Sequence, residues 1–424
     1  MEVSRLWEPY GLRSSPFFQD ELRPADREHP TTLFIGRDDE LRRIERRLVS
    51  DPHTRTIVEG DPGVGKTSFV NRVKADAKDL SVATYEHPIR ITQETTLTTF
   101  VASVLRTLVR IRSAAGLSSE RGFWRQTVRW LEGGEIRGGS LSAFGVGGGM
   151  TRTFVAPQAP GDALYEVLGE ALRQTNEDLG RPVLLHVNNL ENLTGERVRL
   201  TALLLRDLRD YLLLNGAHWV FVGSTGIDDQ IFRVYDQVGG IFPAADTLLP
   251  LTPAEVEQLL ARRYLHLRIR GRTLVEPIIP HDAAELYALY QGDLRNFLRL
   301  LSDASERILG LRSVTPMTQA EVLLHASGEY QRHIRSRMSQ NDFEHVARLV
   351  AGYGGADPEF RVTDAARLLK MSQPSASELV QRLVDRRVIR QTRTSGRSVY
   401  YRPTGAVLVG MGVSPAVLSA GRES

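Results

Sequence analysis

The fold is decided by one stretch, Gly60-Asp61-Pro62-Gly63-Val64-Gly65-Lys66-Thr67, which has the full G-x-x-x-x-G-K-[ST] spacing of a phosphate-binding loop. The run Arg55 to Glu59 before it predicts a strand, and Ser68 to Ala77 after it predicts a helix. Glycines let the backbone close around a phosphate with its N–H groups pointing inward, and the positive end of the following helix faces the same point. A chance glycine-rich turn is the alternative, but it would not require a strand and a helix in this order. The sequence therefore predicts an α/β fold with a nucleoside triphosphate site.

The chemistry of the loop assigns a role to each of its side chains. We expect Lys66 to reach the β- and γ-phosphates and Thr67 to hold Mg²⁺. The expected nucleotide is ATP. The residues assigned to ATP are Gly60, Asp61, Pro62, Gly63, Val64, Gly65, Lys66, Thr67 and Ser68.

Composition limits the classes of protein that this chain can belong to. Its 424 residues, 41% of them hydrophobic, are enough for roughly two to four domains. The chain has no cysteine, which excludes disulfides, thiolate nucleophiles and cysteine-ligated zinc. No apolar run approaches the roughly 20 residues of a membrane span, and the amino terminus lacks the pattern of a secretory signal. We therefore expect a cytoplasmic protein without a membrane partner.

The segment before the phosphate loop has a recognisable order. An aromatic lead-in, from Trp7 to Phe18, comes before Phe34-Ile35-Gly36-Arg37-Asp38-Asp39-Glu40-Leu41 and a predicted helix. Packing of the aromatics onto the core is the simple interpretation. The order of lead-in, helix and phosphate loop also resembles the AAA+ ATPases of the origin-recognition initiator type and their bacterial relatives. That resemblance implies that Phe34, Ile35 and Gly36 line the adenine pocket.

The strand expected to carry the acidic motif departs from the family pattern. Members of the family end this strand in two acidic residues, one ordering Mg²⁺ through water and one activating the attacking water. This chain has Asn188 and Asn189 after an apolar run from Pro182. An amide is uncharged and cannot take up a proton, so both roles are weakened. Glu191 is the nearest carboxylate that could substitute, and we expect ATP binding with slow or absent hydrolysis.

Two further positions follow from the resemblance. The apolar run His218 to Gly223 resembles the sensor-one strand, which assigns Ser224 or Thr225 to the γ-phosphate, although both are also ordinary turn residues. Thr252 and Pro253 have the form of a helix cap and first helical residue that open the lid. Gly292-Asp293-Leu294-Arg295 resembles the sensor-two motif, so Arg295 is expected to contact the γ-phosphate.

A glycine-rich stretch separates the second predicted strand, Val82 to Glu86, from the acidic-motif strand. Residues 132–161 contain nine glycines around Phe144. Alternating residues on both sides of the glycines fit a short hairpin. A flexible surface insertion and a loop that grips a polymer through Phe144 are both compatible with this pattern.

The last segment resembles a winged helix-turn-helix domain. Three helices are predicted at 342–350, 363–369 and 372–386, followed by strands at 388–393 and 398–402. Six arginines and no acidic residue lie between Arg386 and Arg402, which is the electrostatic pattern of a phosphate-binding surface. In this domain type the third helix enters the major groove by its first residues. The residues expected at duplex DNA are Ser372, Gln373, Ser375, Ser377, Arg393 and Arg397. Protein contact through the same domain is the alternative.

The predicted organisation is an AAA+ core at 1–250, a helical lid at 251–335, a winged helix at 336–413 and a tail at 414–424. The hypothesis is an ATP-binding switch that binds duplex DNA and self-associates through its core, with separate partner chains. A signalling or defence NTPase with a winged helix that makes protein contacts is the first rival. An active motor is the second, and the two asparagines argue against it.

Overall fold

The computed structural model describes residues 4–92, 94–133, 161–188, 190, 196–311, 314–353, 359–395 and 398–415. The chain divides into two compact units. The first unit comprises Met1–Asp20, Gly63–Gly65 and Leu249–Ser424, and the second comprises Glu21–Pro62 and Lys66–Leu248. Each unit has its own hydrophobic interior.

The second unit is built on a parallel sheet. Among the described residues its strands follow the order β2-β4-β5-β1-β6, and β3 also pairs with β4. Every pairing recorded in this sheet is parallel, so the carboxyl ends of the strands share one edge. The strands are β1 Arg55–Gly60, β2 Ala83–Thr84, β3 Ile89–Arg90, β4 Val183–Asn188, β5 Ala217–Gly223 and β6 Asp246–Leu248.

Helices cover this sheet on both faces, because its central strand β5 is buried along its whole length. All seven residues of β5 are buried, as parallel strands covered on both faces must be. Trp219 stacks on Phe100 and on Phe221, with ring centroids 6.1 and 6.4 Å apart. The helices of the unit are α2 Asp38–Ser50, α3 Lys66–Ala77, α4 Leu97–Ala114, α5 Gly122–Leu131, α6 Gly161–Leu179, α7 Glu196–Leu212 and α8 Asp236–Gly239. A π-helical turn, Asp228–Phe232, follows β5.

The first unit is helical and includes the amino terminus. Its short α1 is Ser4–Trp7, and the helices within the predicted lid are α9 Pro253–Leu267, α10 Pro280–Tyr290, α11 Leu294–Ile308 and α12 Gln319–Ser336. The predicted start of α9 is confirmed, because Thr252 and Glu255 form a reciprocal capping box with Pro253 at the first helical position.

The aromatic lead-in packs against α9 within the same unit. Arg263 Nη1 donates to the carbonyl oxygens of Pro16 and Phe18 at 3.0 and 2.9 Å, and its guanidinium lies 3.7 Å from the Phe18 ring centroid. Burial lowers the pKa of Arg263 to about 9. Gly11, with φ 74°, passes so close to the chain that an added Cβ would lie 2.3 Å from Thr273 O. The lead-in thus packs onto a helix of the predicted lid, with Trp7, Tyr10 and Phe17 buried.

The carboxyl-terminal part of this unit contains helices and a two-stranded hairpin in the order predicted from the sequence. The elements are α13 Gln340–Tyr353, α14 Val362–Leu369, α15 Gln373–Asp385, β7 Ile389–Ser395, β8 Ser398–Pro403 and α16 Gly405–Gly410. Strands β7 and β8 are antiparallel and are called the wing hairpin here. Phe360 adds a bridge to Tyr401 of β8, with N···O distances of 2.9 and 2.8 Å. Lys370 ends α14 in the left-handed conformation, with φ 55°, which makes the predicted tight turn.

The predicted α/β class is confirmed, with local differences. Helix α3 begins two residues before its predicted start, and the strand predicted at 82–86 is reduced to Ala83–Thr84. Helices α5 and α6 have no counterpart among the elements predicted from the sequence. The predicted glycine-rich hairpin and Phe144 lie outside the described residues. The domain boundaries proposed from the sequence stay predictions.

None of the helices in the described ranges combines the length and the apolar composition that crossing a membrane takes.

Candidate functional site

The phosphate loop has the backbone that its glycines predict. Gly63 and Gly65 have φ values of 82° and 97°, a region that residues with a Cβ rarely adopt. Helix α3 begins at Lys66, directly after Gly65, so its first amide groups and the positive end of its dipole lie at the end of the loop. This arrangement suits an anionic group such as a phosphate.

Lys66 lies against the loop that it belongs to. Its side chain is buried, and Nζ donates to the carbonyl oxygens of Gly60 and Asp61 at 2.9 and 3.1 Å. The ammonium group is therefore held by the backbone that surrounds the predicted phosphate position. Thr67, the next residue, is half-buried at the start of α3.

One face of α3 holds the segment that precedes the predicted adenine pocket. Ser68 Oγ accepts from the amide of Leu22 at 3.1 Å, and Asn71 Nδ2 donates to the carbonyl of Leu22 at 2.9 Å. Phe34, which is buried, lies with its ring centroid 6.0 Å from that of Phe69 of α3. Phe34 of the predicted pocket thus lies against the helix that follows the phosphate loop. The hydroxyl of Ser68, which the sequence assigned to ATP, accepts a structural hydrogen bond.

The other two predicted pocket residues are placed on the same segment. Ile35 is buried, and Gly36 is half-buried with φ 72°. Arg37 follows in the left-handed conformation, with its guanidinium carbon 6.0 Å from the centroid of the Phe34 ring.

Two carboxylates connect the phosphate loop to the neighbouring strands. The buried Glu59 accepts from the amide of Gly226 at 3.0 Å and from Thr247 Oγ1 at 2.9 Å. Asp61 Oδ1 accepts from Thr225 Oγ1 at 2.9 Å. These bonds fix the loop after β5 and strand β6 to the end of β1. Sequence reasoning missed Glu59, whose only signal was a carboxylate at the end of an otherwise apolar strand.

The two candidate sensor-one residues differ in their exposure and in their hydrogen bonds. Thr225 is exposed, and its hydroxyl is engaged by Asp61. Ser224 is half-buried and directly follows β5.

The acidic-motif strand ends where the sequence places it. Asn188 is the last residue of β4, and its carbonyl accepts from the amide of Ile91 at 3.1 Å. Strand β4 pairs with β5, and β5 pairs with β1, so Asn188 lies at the same sheet edge as the phosphate loop. Asn189 and Glu191 lie outside the described residues.

A buried lysine and a buried histidine lie between α3 and β4. Lys74 is 1% exposed and donates from Nζ to Glu86 O at 2.8 Å. Burial lowers the pKa of Lys74 to about 8. Burial, with the charge of Lys74 as a second cause, also holds the pKa of His186 well below its usual range. Within the described part of the chain neither ring nitrogen of His186 has a hydrogen-bond partner. Sequence reasoning missed this pair, for which no local pattern is a signal.

The predicted sensor-two segment begins α11 in the first unit. Asp293 caps the helix by accepting from the amide of Asn296 at 3.1 Å, and Arg295 lies in the first turn. Gly63 belongs to the same unit, and an added Cβ there would lie 2.4 Å from Asp293 Oδ1 and 3.5 Å from Arg295 Cβ.

The predicted DNA-reading residues lie together at the start of α15. Ser372 is the N-cap, with Oγ accepting from the amide of Ser375 at 3.3 Å and lying 2.8 Å from its Oγ. All four predicted residues, Ser372, Gln373, Ser375 and Ser377, are exposed. Apolar residues on the opposite face of α15, Ala376, Leu379 and Val380, are buried.

The arginine run is only partly available for a phosphate backbone, which corrects its interpretation as one continuous surface. Arg386 Nη1 pairs with the buried Asp342 at 3.0 Å. Arg390 and Arg402 each donate from Nη2 to the carbonyl of Gln291 at 2.9 Å. Among the described side chains of this run, Arg386, Arg390 and Arg402 thus have partners within the unit. Arg393 lies in β7, and Arg397 lies outside the described residues.

Comparisons with known proteins agree with this geometry. Residues 33–215 match the family model for the AAA ATPase domain. No curated protein matches the sequence. The ORC2 protein of Aeropyrum pernix, solved as ADPNP-ADP complexes, is similar in structure at 13% identity and a TM-score of 0.50, over 96% of this chain and 98% of that chain.

Two more solved structures are similar at a lower score. The ORC1 protein of Aeropyrum pernix in complex with DNA has 14% identity and a TM-score of 0.43, over 91% of this chain and 94% of that chain. Cdc6p of Pyrobaculum aerophilum has 14% identity and a TM-score of 0.45, over 96% and 98%. The family match and the ORC2 structure confirm the predicted P-loop AAA+ fold and, at the level of the fold, the resemblance to origin-recognition initiators.

Proposed function

We propose that this chain, which carries an AAA ATPase domain at 33–215 and shares the fold of the Aeropyrum pernix ORC2 protein, is an ATP-binding switch that binds duplex DNA. The nucleotide part rests on the phosphate loop, with its two left-handed glycines and the helix that begins at Lys66. The ADPNP-ADP complexes of the ORC2 protein support it.

The side chains present fit ATP with Mg²⁺. Lys66 would give up its loop carbonyls for the β- and γ-phosphates, and the hydroxyl of Thr67 would hold the metal, which neutralises phosphate charge when bound. Phe34, Ile35 and Gly36 would line the adenine, and Arg295 would contact the γ-phosphate. Across the described ranges no group of three or more His, Asp or Glu side chains could hold a metal ion.

Hydrolysis is proposed to be slow. Asn188 can accept a hydrogen bond from a metal-bound water but cannot supply negative charge, and Asn189 cannot take the proton of an attacking water. The chain would therefore remain in its ATP-bound state for long periods. Such behaviour suits a switch better than a motor.

The DNA part rests on the exposed first turn of α15. Its four polar residues project from a helix whose opposite face is buried, in a helix-turn-helix arrangement followed by a wing. Early residues of such a helix reach base edges, and the wing reaches phosphates. This exposed polar turn is the observation that carries the proposal. Self-association through the AAA+ core and separate partner chains are part of the same proposal.

A second candidate is an NTPase whose winged helix makes protein contacts only. The observation that favours it is the engagement of Arg386, Arg390 and Arg402 within the unit, which reduces the charge available to DNA.

Binding of ATP and of duplex DNA by the full chain tests the proposal. We expect a fluorescent ATP analogue to bind wild type and not Lys66→Ala, with both folding to the same circular dichroism spectrum. We expect duplex DNA to bind with an affinity that falls steeply with salt and that changes when ATP is added. Absence of salt-dependent binding to any duplex would favour the protein-contact candidate.

A further inference from the structure

The wing hairpin is attached at its base to one backbone carbonyl. Arg390 of β7 and Arg402 of β8 are directly opposed in the hairpin, and both donate from Nη2 to Gln291 O at 2.9 Å. The three residues belong to the same unit. Both arginine side chains are half-buried, so these bonds are shielded in part from water.

The geometry of Gln291 explains why its carbonyl attracts two cations. Gln291 ends α10 in the left-handed conformation, with φ 47°. The last carbonyls of a helix have no partner within it and form the negative end of its dipole. Two guanidinium groups therefore donate hydrogen bonds to the carbonyl at this end of α10. They belong to residues 99 and 111 positions away in the chain.

The segment after Gln291 connects this attachment to the predicted nucleotide contact. Gly292, with φ 97°, passes so close to Pro250 that an added Cβ would lie 2.5 Å from its Cγ. Asp293 then caps α11, and Arg295 lies in the first turn. Only four peptide bonds therefore separate the carbonyl of Gln291 from Arg295. Of the residues between them, Gly292 lies close against Pro250 and Asp293 caps α11.

We propose that Arg390 and Arg402 are positioning residues for Arg295, and that through Gln291 they link DNA at the wing to ATP at the lid. The inference rests on the proposed function, since Arg295 must contact ATP and the wing must contact DNA. A shift of the wing hairpin on DNA moves the Gln291 carbonyl and with it the start of α11. Linkage is reciprocal, so ATP that fixes Arg295 also fixes the wing.

The test measures coupling and not affinity alone. The ratio of ATP dissociation constants without and with saturating duplex DNA, measured with a fluorescent ATP analogue, gives the coupling factor for the full chain. We expect roughly 5- to 150-fold coupling in wild type, the usual range for linked sites. In Arg390→Gln/Arg402→Gln the ratio should fall to about one, while each ligand alone still binds.

Two controls separate positioning from loss of charge or fold. Arg386→Gln removes a positive charge from the same domain, but its partner is Asp342, so the coupling factor should stay at the wild-type value. Arg390→Lys/Arg402→Lys keeps two cationic donors and should restore part of the coupling. A purely structural role would not produce this recovery.

The outcomes distinguish the two proposals. A double Gln variant with the wild-type coupling factor overturns the positioning role and leaves the proposed function standing. A wild-type chain that binds ATP and DNA without coupling also overturns it. A wild-type chain that binds no duplex rejects the proposed function itself, together with the inference that depends on it.

Discussion

Thr225 Oγ1 donates a hydrogen bond of 2.9 Å to Asp61 Oδ1, so the phosphate loop itself engages one of the two candidate sensor residues. We expect Thr225→Val to weaken ATP and ADP binding by the same factor, about fivefold, because it loosens the loop at a cost of about 1 kcal/mol. Ser224→Ala should instead reduce the ratio of ATP to ADP affinity, because Ser224 is then the residue that faces the γ-phosphate. Titration of both nucleotides against both variants decides the assignment. Loss of the ATP preference in Thr225→Val alone would reverse it.

Restoring the acidic motif should create an ATPase. Asn188→Asp/Asn189→Glu supplies a charged group for Mg²⁺ and a base for the attacking water, and a positioned base contributes about 10²- to 10⁴-fold to turnover. We therefore expect a rise of about 10²-fold or more in steady-state phosphate release. The same variant with Lys66→Ala added should show no rise in phosphate release. Wild-type turnover near about 1 s⁻¹ would mean that another residue, such as Glu191, already acts as the base.

Lys74 should make the free energy of unfolding depend on pH in the alkaline range. Its pKa falls from 10.5 in the unfolded chain to about 8 in the fold because of burial. The unfolded chain thus binds more protons between pH 8 and 10.5, and wild-type stability rises with pH across that window.

Removing the charge of Lys74 tests the direction of this pH dependence. At pH 7 we expect Lys74→Met to be more stable than wild type by roughly 1–3 kcal/mol, because no ammonium has to be buried. The difference should shrink as pH rises from 8 towards 10.5, because Lys74 becomes neutral first in the fold and only later in the unfolded chain. Urea unfolding of both proteins at pH 7 and 10 measures it. A variant less stable than wild type at pH 7 would show that the hydrogen bond to Glu86 outweighs burial.

The wing and the recognition helix should affect DNA binding differently. Arg393→Ala/Arg397→Ala should weaken binding about equally for all sequences and make the logarithmic salt slope shallower by roughly two, because each phosphate contact releases counterions. Gln373→Ala/Ser375→Ala should reduce discrimination between sites with little change in slope. Ser372 is left intact because it caps α15. Competition assays with specific and random duplexes at several salt concentrations separate the two effects, and unchanged binding in both variants would contradict the DNA interface.

Local patterns in the sequence were sufficient for the AAA+ fold. The spacing from Gly60 to Thr67, the apolar run of β5 and the cap at Thr252 each depend on residues within one turn or one strand, so their structure follows from neighbours. The same is true of the helix-turn-helix, where the left-handed turn at Lys370 separates two amphipathic helices. Local rules also predicted which residues of α15 would be exposed, because one helical period divides its polar and apolar faces.

The partners of those residues were decided only by tertiary structure. From the sequence, Arg390 and Arg402 were part of a predicted DNA-binding run, whereas in the structure both donate hydrogen bonds to the carbonyl of Gln291. It assigned the sensor role to Ser224 or Thr225, and in the structure Thr225 donates to Asp61, 164 positions away. Periodicity describes which face of an element is buried, but a hydrogen bond between distant segments depends on how the chain brings them together. The sequence states which side chains are charged, whereas the tertiary structure decides which atom each charged group contacts.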